Sequence, residues 1–269
     1  MPELPLYQID AFIRPGVSGF SGNPAAVVPL TQWLSDTQMQ AIAAENNLSE
    51  TAFYVRQADG RYYIRWFTPT TEVDLCGHAT LAAAHVIRAD QPYENEWLFD
   101  CQAGELCVRA HGADLQLDFP ARSARILQND TLQRQLEQWL GVPVVAMAQA
   151  RDLIVELESA DAVRTCEPDF SALAELDVFA IAITARCDAP DYDFVSRFFA
   201  PRQGIGEDPV TGSSFCSLAP YWTERLQKTT LRAWQCSARG GDIGLVLHNG
   251  RVLISGRTFA YLSGHIHLP

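Results

Sequence analysis

Two short stretches combine residue types that could handle a proton and hold an anion: Cys76-Gly77-His78 and Thr211-Gly212-Ser213. Each places a glycine between polar side chains, just ahead of an apolar run with helical character. Glycine lets the backbone approach a ligand closely. The first turn of a helix leaves N–H groups unpaired and carries a partial positive charge. Together these suit a carboxylate, and they would stabilise an enolate formed from it. Ordinary tight turns ahead of two buried helices are the plainer reading of one copy; two copies favour a site. A thiol at a helix start, as at Cys76, is expected to have a lowered pKa and could act as acid or base; a small packed residue is the competing reading. Thr211 does not titrate usefully, so a two-thiol exchange is excluded. His78 could donate to a carboxylate or carry a proton near neutral pH, or be a core histidine. His85, about two turns further on, reads as structural. Asp208, before Pro209, is either a turn residue or a group that takes a proton or orients His78. Glu50 closes Asn46-Asn47-Leu48-Ser49-Glu50 between a helix and a strand. Held inward, it would have a raised pKa and serve as general acid and base; a solvated turn glutamate is the simpler alternative, and Glu45 is the solvent-facing competitor.

These side chains must be carried by short alternating segments, read as strands at Leu4–Ala11, Ala25–Val28, Thr51–Arg56, Tyr62–Phe67, Glu105–Ala110 and Leu115–Phe119. Thr31–Asn46 reads as a helix capped by Ser35 or Asp36, with Met39, Ile42 and Ala43 on one face. Ala79–Ala89 is apolar on nearly every side and so asks to be enclosed. Strands are expected again at Asp152–Glu158 and Val178–Ala185, and Asp191–Phe199 is mixed. Ser213–Leu226 is expected to be a helix that Pro220 kinks or interrupts. Thr229–Ser237, Ile243–His248, Arg251–Ser255 and Thr258–Leu262 read as four strands, with a hairpin turn at Asn249-Gly250. Ile126–Ala150 reads as loops. The motif Phe-x-Pro, acidic loop, small-Gly-polar, apolar helix occurs twice, at Phe67 and at Phe199. Gly212 lies 135 residues after Gly77, close to half of the 269-residue chain, which favours a duplication.

Composition narrows the partners. Hydrophobic residues make up 48% and charged residues 19%, with a net charge of −12. So acidic a chain repels phosphate backbones and anionic lipids, and neither a nucleic-acid nor a membrane partner is expected. The N-terminal MPELPLYQIDAF lacks the basic and apolar runs of a signal peptide. The seven cysteines include no C-x-x-C pair, which argues against a disulfide framework and a zinc site; with no H-x-E either, a zinc deaminase fails. A cytoplasmic protein with reduced thiols and no metal is the simplest expectation.

Ordered and spaced as they are, several stretches resemble the phenazine-biosynthesis isomerase family, which shares the diaminopimelate epimerase fold. They are Asp10-Ala-Phe12, Phe20–Val28, Asn47–Phe53, Arg65–Pro69, Cys76–Thr80, Gly206–Ser213, Gly240-Gly241 and Ile254-Ser255-Gly256. The resemblance implies an α+β fold with two pseudo-symmetric domains, each a β-barrel-like sheet wrapped around a central helix. The halves are expected at 1–120 and 121–269, the final strand being a candidate to cross back to the first. It also implies no cofactor, a homodimer, and a small carboxylate substrate. In the phenazine enzyme a glutamate of the Asn-Leu-Ser-Glu motif moves the proton in isomerising a dihydro-hydroxyanthranilate; by resemblance that residue is Glu50 here, His78 and Asp208 assist, and Asn23, Cys76, Gly77, Gly212 and Ser213 hold the substrate. Cys76 matches the first thiol of the epimerase, whereas Thr211 and His78 depart from it. Three functions follow: an isomerase using Glu50, a one-thiol racemase or epimerase using Cys76, and a binding protein that has lost turnover. Arg14 and Arg202 are possible anion contacts.

Overall fold

A computed structural model describes residues 3–268. The chain divides into two units, one comprising Met1–Asp118 with Ser255–Pro269 and the other Phe119–Ile254. In the first unit the elements run β1 (Glu3–Ile13), β2 (Asn23–Leu30), α1 (Asp36–Asn46), β3 (Glu50–Arg56), β4 (Tyr62–Phe67), β5 (Glu72–Val73), α2 (Gly77–Asp90), β6 (Glu96–Cys101), β7 (Gly104–His111) and β8 (Asp114–Pro120). β1 and β2 pair antiparallel; α1 then crosses over so that β3 lies parallel to β2. β4 returns antiparallel, the short β5 lies on it, and α2 crosses over to a parallel β6. β7 and β8 follow as antiparallel neighbours. Such crossovers demand helices, because parallel strands cannot be joined by a tight turn.

The second unit contains β9 (Arg125–Leu127), α3 (Asp130–Leu140), β10 (Val144–Gln149), β11 (Leu153–Leu157), α4 (Ala160–Thr165), α5 (Phe170–Leu173), β12 (Ile181–Arg186), β13 (Phe194–Ala200), β14 (Ile205–Asp208), α6 (Phe215–Leu226), β15 (Thr230–Gln235) and β16 (Gly241–His248). The pairing order repeats that of the first unit. β11 and β12 are parallel, β13 is antiparallel to β12, the short β14 lies on β13, α6 crosses over to a parallel β15, and β16 turns back. The repeat in the sequence is thus a repeat of topology. Asn249 and Gly250, both at positive φ, turn the chain into β17 (Arg251–His267), as a two-residue hairpin turn requires. β17 pairs with β1 from Glu3↔His267 to Ile13↔Arg257 and also borders β8. That closes the sheet of the first unit into a barrel-like wall.

The helix inside that wall is α2, whose residues Gly77–Ala84 are all buried, together with Val86 and Ile87. A helix apolar on all sides is stable only when enclosed, and each buried Leu, Val or Ile contributes about 1.5–3 kcal/mol. His85 is held there by Thr258, Nδ1 to Oγ1 at 2.7 Å. α1 starts later than expected: Ser35 caps it in a capping box with Gln38, and residues 31–34 stay outside the helix.

Three other expectations are corrected. Ile126–Ala150 is not loop but β9, α3 and β10, with Leu136 and Leu140 buried. Arg251–Ser255 and Thr258–Leu262 are one strand, β17. Pro220 does not break α6. Lacking an N–H, Pro220 leaves the Cys216 carbonyl without its helical donor, and the backbone N–H of Arg122 donates to that carbonyl instead, at 2.8 Å. β6 was not foreseen, although Trp97, Phe99 and Cys101 alternate as buried residues. Of the C-terminal tail His265–Pro269, Pro269 lies outside the described residues, as do Met1 and Pro2 of the N-terminal peptide. Among the described residues no helix is long and apolar enough to cross a membrane.

Gly256, within β17, faces the ring of Phe12, a buried residue held at φ 60°. A Cβ at position 256 would sit 2.3 Å from Phe12 Cδ1. Phe12 has no room to give way, so Gly256→Ala is expected to lose about 1–3 kcal/mol by overpacking, read as a lower urea midpoint with an unchanged slope.

Candidate active site

In the first unit, Asn23, Glu50 and His78 come together because three elements begin at one place. β2 starts at Asn23, β3 at Glu50 and α2 at Gly77, and the parallel register sets Ala25 beside Glu50. Glu50 follows directly on the turn after α1, where Asn47 adopts a left-handed conformation with φ 49°. Its carboxylate is turned inward: Glu50 Oε2 lies 3.0 Å from His78 Nε2, with side-chain exposures of 13% and 5%. Glu45, the competitor, lies earlier, on an exposed position of α1.

The other edge of the His78 ring meets Asn23 Nδ2 at 3.4 Å and Cys76 Sγ at 3.5 Å. Ser49 Oγ donates to Asn23 Oδ1 at 3.1 Å. This orientation of the Asn23 amide suits a ring that accepts at Nδ1. Turning the amide, with Ser49 then accepting, would suit a ring that donates there. Burial works against the charged imidazolium, but the neighbouring Cys76 and then the Glu50 carboxylate outweigh that, and His78 is held well above its ordinary 6.5. The thiol of Cys76 goes the other way from expectation. Burial, then the Glu50 charge, push it up, and the nearby His78 does not offset them. Cys76 has no side-chain bond to the helix end it precedes.

Despite their 3.0 Å separation, Glu50 Oε2 and His78 Nε2 are not aligned for a hydrogen bond, and both atoms are buried without a hydrogen-bond partner among the described residues. Each can still accept or give a hydrogen. Glu50, Cys76 and His78 offer three metal-ligand atoms within 4.8 Å of one another. The imidazole, however, turns Nε2 to Glu50 and Nδ1 to Cys76. One ion could not use both neighbours through a single ring nitrogen without turning the ring, and the raised thiol opposes the thiolate a metal wants. The arrangement fits a proton-moving pair better than a metal site.

In the second unit, Asp208 ends β14 and accepts from the Thr211 hydroxyl. Gln235, fully buried on β15, holds this loop: its Nε2 donates to Asp208 O at 2.9 Å and its Oε1 accepts from Thr211 N at 2.9 Å. Gly212 and Ser213 open a single 3-10 turn, Gly212–Ser214, that runs into α6. Ser213 Oγ accepts from Arg151 Nη2 at 3.0 Å. Arg202 is engaged by Asp177 at 2.6 Å, and the Arg14 backbone N–H donates to Ser21 Oγ at 2.8 Å.

Sequence reading missed the braces behind both motifs. Arg65 grips Glu72 with two bonds of 2.7 and 2.6 Å, and Arg197 grips Glu207 with two of 2.7 and 2.9 Å. Each guanidinium also lies over the phenylalanine of its own motif, at 5.2 Å for Phe67 and 5.1 Å for Phe199. The signal was present twice as Arg-x-Phe-x-Pro followed by Glu. Gln235 had no comparable signal.

A raised folded-state value means that the His78 proton stabilises the protein fully below about 6.5, and that this contribution is lost as pH rises through the raised value. NMR titration of the ring should show that high value. In Glu50→Gln the burial penalty remains while the carboxylate's contribution is gone, so the titration should move down.

Comparison with known proteins places this geometry in a family. Residues 9–264 match the family model described as phenazine biosynthesis-like protein. An uncharacterized isomerase of Pseudomonas aeruginosa is 50% identical over 270 residues, 99% of each chain. A crystal structure of a phenazine biosynthesis protein of the PhzF family from Enterococcus faecalis superposes with a TM-score of 0.93 at 41% identity, covering 99% of this chain and 100% of that one. A predicted epimerase from Pseudomonas aeruginosa has a TM-score of 0.78 at 20% identity over 99% of this chain and 100% of its own, a likeness of fold alone. The fold is the α+β, barrel-like fold of diaminopimelate epimerase type, and the chain belongs to the phenazine biosynthesis-like protein family.

Proposed function

We propose that the protein is an isomerase that moves a proton on a small carboxylate-bearing substrate by general acid–base catalysis, with Glu50 as the group that carries the proton. The observation behind this reading is the buried Glu50–His78 contact at 3.0 Å, close but not hydrogen-bonded. The Glu50 oxygen beside the ring is left open to accept a proton from carbon. The electron pair released moves toward the substrate carboxylate, where an enolate forms. The same carboxyl then returns the proton to another carbon. His78 steadies the charge on Glu50 through the cycle, and Asn23 with Ser49 holds the ring. The amide-bearing start of α2 at Gly77 suits the growing negative charge.

For the second unit we propose that Asp208 assists the proton handling and that Gly212 and Ser213 hold substrate, with the α6 start in the same role as that of α2. No step requires a cofactor. Cys76 is read as a substrate-side packing group rather than the base, since its thiol is pushed up by burial and by Glu50. A homodimer in the cytoplasm completes the proposal. The exposed cluster of Phe20, Phe259 and Tyr261, with Phe20 and Tyr261 rings 5.0 Å apart, is an apolar face suited to a second copy.

Incubation with dihydro-hydroxyanthranilate and other small carboxylates in heavy water tests the reading. Enzyme should place deuterium on carbon, Glu50→Gln should lose at least about a hundredfold, within the range of general acid–base catalysis, and Cys76→Ala should keep most of the rate. Exchange at the normal rate in Glu50→Gln would overturn the role of Glu50, and loss in Cys76→Ala would restore the one-thiol mechanism.

A further inference from the structure

We propose that Arg122, whose backbone is fixed against the first turn of α6, is a recognition residue in the second unit for a carboxylate group of the ligand. The proposal deepens the isomerase reading, and takes the carboxylate class of ligand from it.

Arg122 is the second residue after the end of β8. Its backbone is tied down by the donation to Cys216 O at 2.8 Å, a bond made possible by Pro220, and Ala121 N–H donates to Gly250 O at 2.9 Å. The residue is therefore fixed against the first turn of α6. Its side chain is half-buried, yet Nη1 is shielded from water and has no hydrogen-bond partner among the described residues. A guanidinium presents five donors, and a buried donor on a cation is costly to leave unmet.

Arg151, which meets Ser213 at the same helix start, differs. Arg151 is matched by the buried Asp152, through bonds of 2.8 and 3.0 Å, and its ring-facing side lies 4.5 Å from the Phe179 centroid. From there it reaches Ser213 Oγ at 3.0 Å. Its charge is balanced, whereas that of Arg122 has no carboxylate in contact among the described residues. Both guanidiniums also act on Cys216: burial pushes that thiol up to about 11, against the pull of Arg122 and then Arg151. Both cations therefore act on the first turn of α6, where Arg151 meets the Ser213 hydroxyl and the amides of Gly212 and Ser213 lack helical acceptors by position. One positive charge is left over. A planar carboxylate is the partner a guanidinium fork takes best.

Calorimetric titration with malonate, with its uncharged diamide malonamide, and with inorganic phosphate tests the site without relying on turnover. Malonate should bind the wild type, and malonamide should not bind. Arg122→Met should weaken malonate about ten- to hundredfold, the range of a lost charge-assisted contact. Arg122→Lys should fall between, and the exposed control Arg186→Met should bind as the wild type does. Ligand-free Arg122→Met should melt at the same temperature or higher, because an unmatched buried charge has been removed. Absence of malonate binding by the wild type, unchanged malonate binding by Arg122→Met, equal binding of malonamide, or phosphate binding alone would overturn the proposal. So would a destabilised Arg122→Met, which would make the cation a packing group. Proton exchange surviving in Glu50→Gln would defeat the isomerase reading while leaving malonate binding intact, so the two failures differ.

Discussion

The energetic demand at the centre of the first unit is to bury a carboxylate against an imidazole. Glu50 and His78 are 3.0 Å apart in a largely dry setting, where isolated charges would be expensive. The pair survives because the surroundings are fixed in advance. α2 is enclosed from its first residue, Asn23 and Ser49 occupy the far edge of the ring, and the turn at Asn47 delivers Glu50 with its side chain inward. Each of those features would be wasted on a surface glutamate.

The duplicated framework explains how such placement is achieved without a dedicated scaffold. In each unit a strand ends in Phe-x-Pro, an arginine on that strand grips a glutamate on the short strand that follows, and a small-residue turn starts the crossover helix. The chemistry then differs. The first copy carries Cys76 and His78 beside Glu50; the second carries Thr211, tied to Asp208, and Ser213, tied to Arg151. The repeated framework keeps the braces and the helix starts, while the reactive side chains differ.

Much of this was legible in the chain because it rests on local rules. Alternating runs marked most strands, Ser35 marked the start of α1, and the apolar wrap of Ala79–Ala89 marked an enclosed helix. What escaped depended on distant partners. Pro220 read as a break because the substitute donor, Arg122, lies far away in sequence. Gly256 read as a gap between two strands because its need is set by the ring of Phe12. Cys76 read as an activated thiol because helix position is visible in sequence, whereas burial and the approach of Glu50 are not. α3 is the exception: Asn129 and Gly141 bracket it as cap and terminator, and those local signals were passed over.

Proton transfer by Glu50 depends on the charge state of its pair with His78. Neutron diffraction from deuterated crystals at neutral pH locates its hydrogens directly. The expected result is deuterium on both nitrogens of His78 and none on the Glu50 carboxylate, with the Asn23 carbonyl turned toward Nδ1. A neutral His78 with deuterium on Glu50 would contradict it, because the group assigned to take the proton would already hold one.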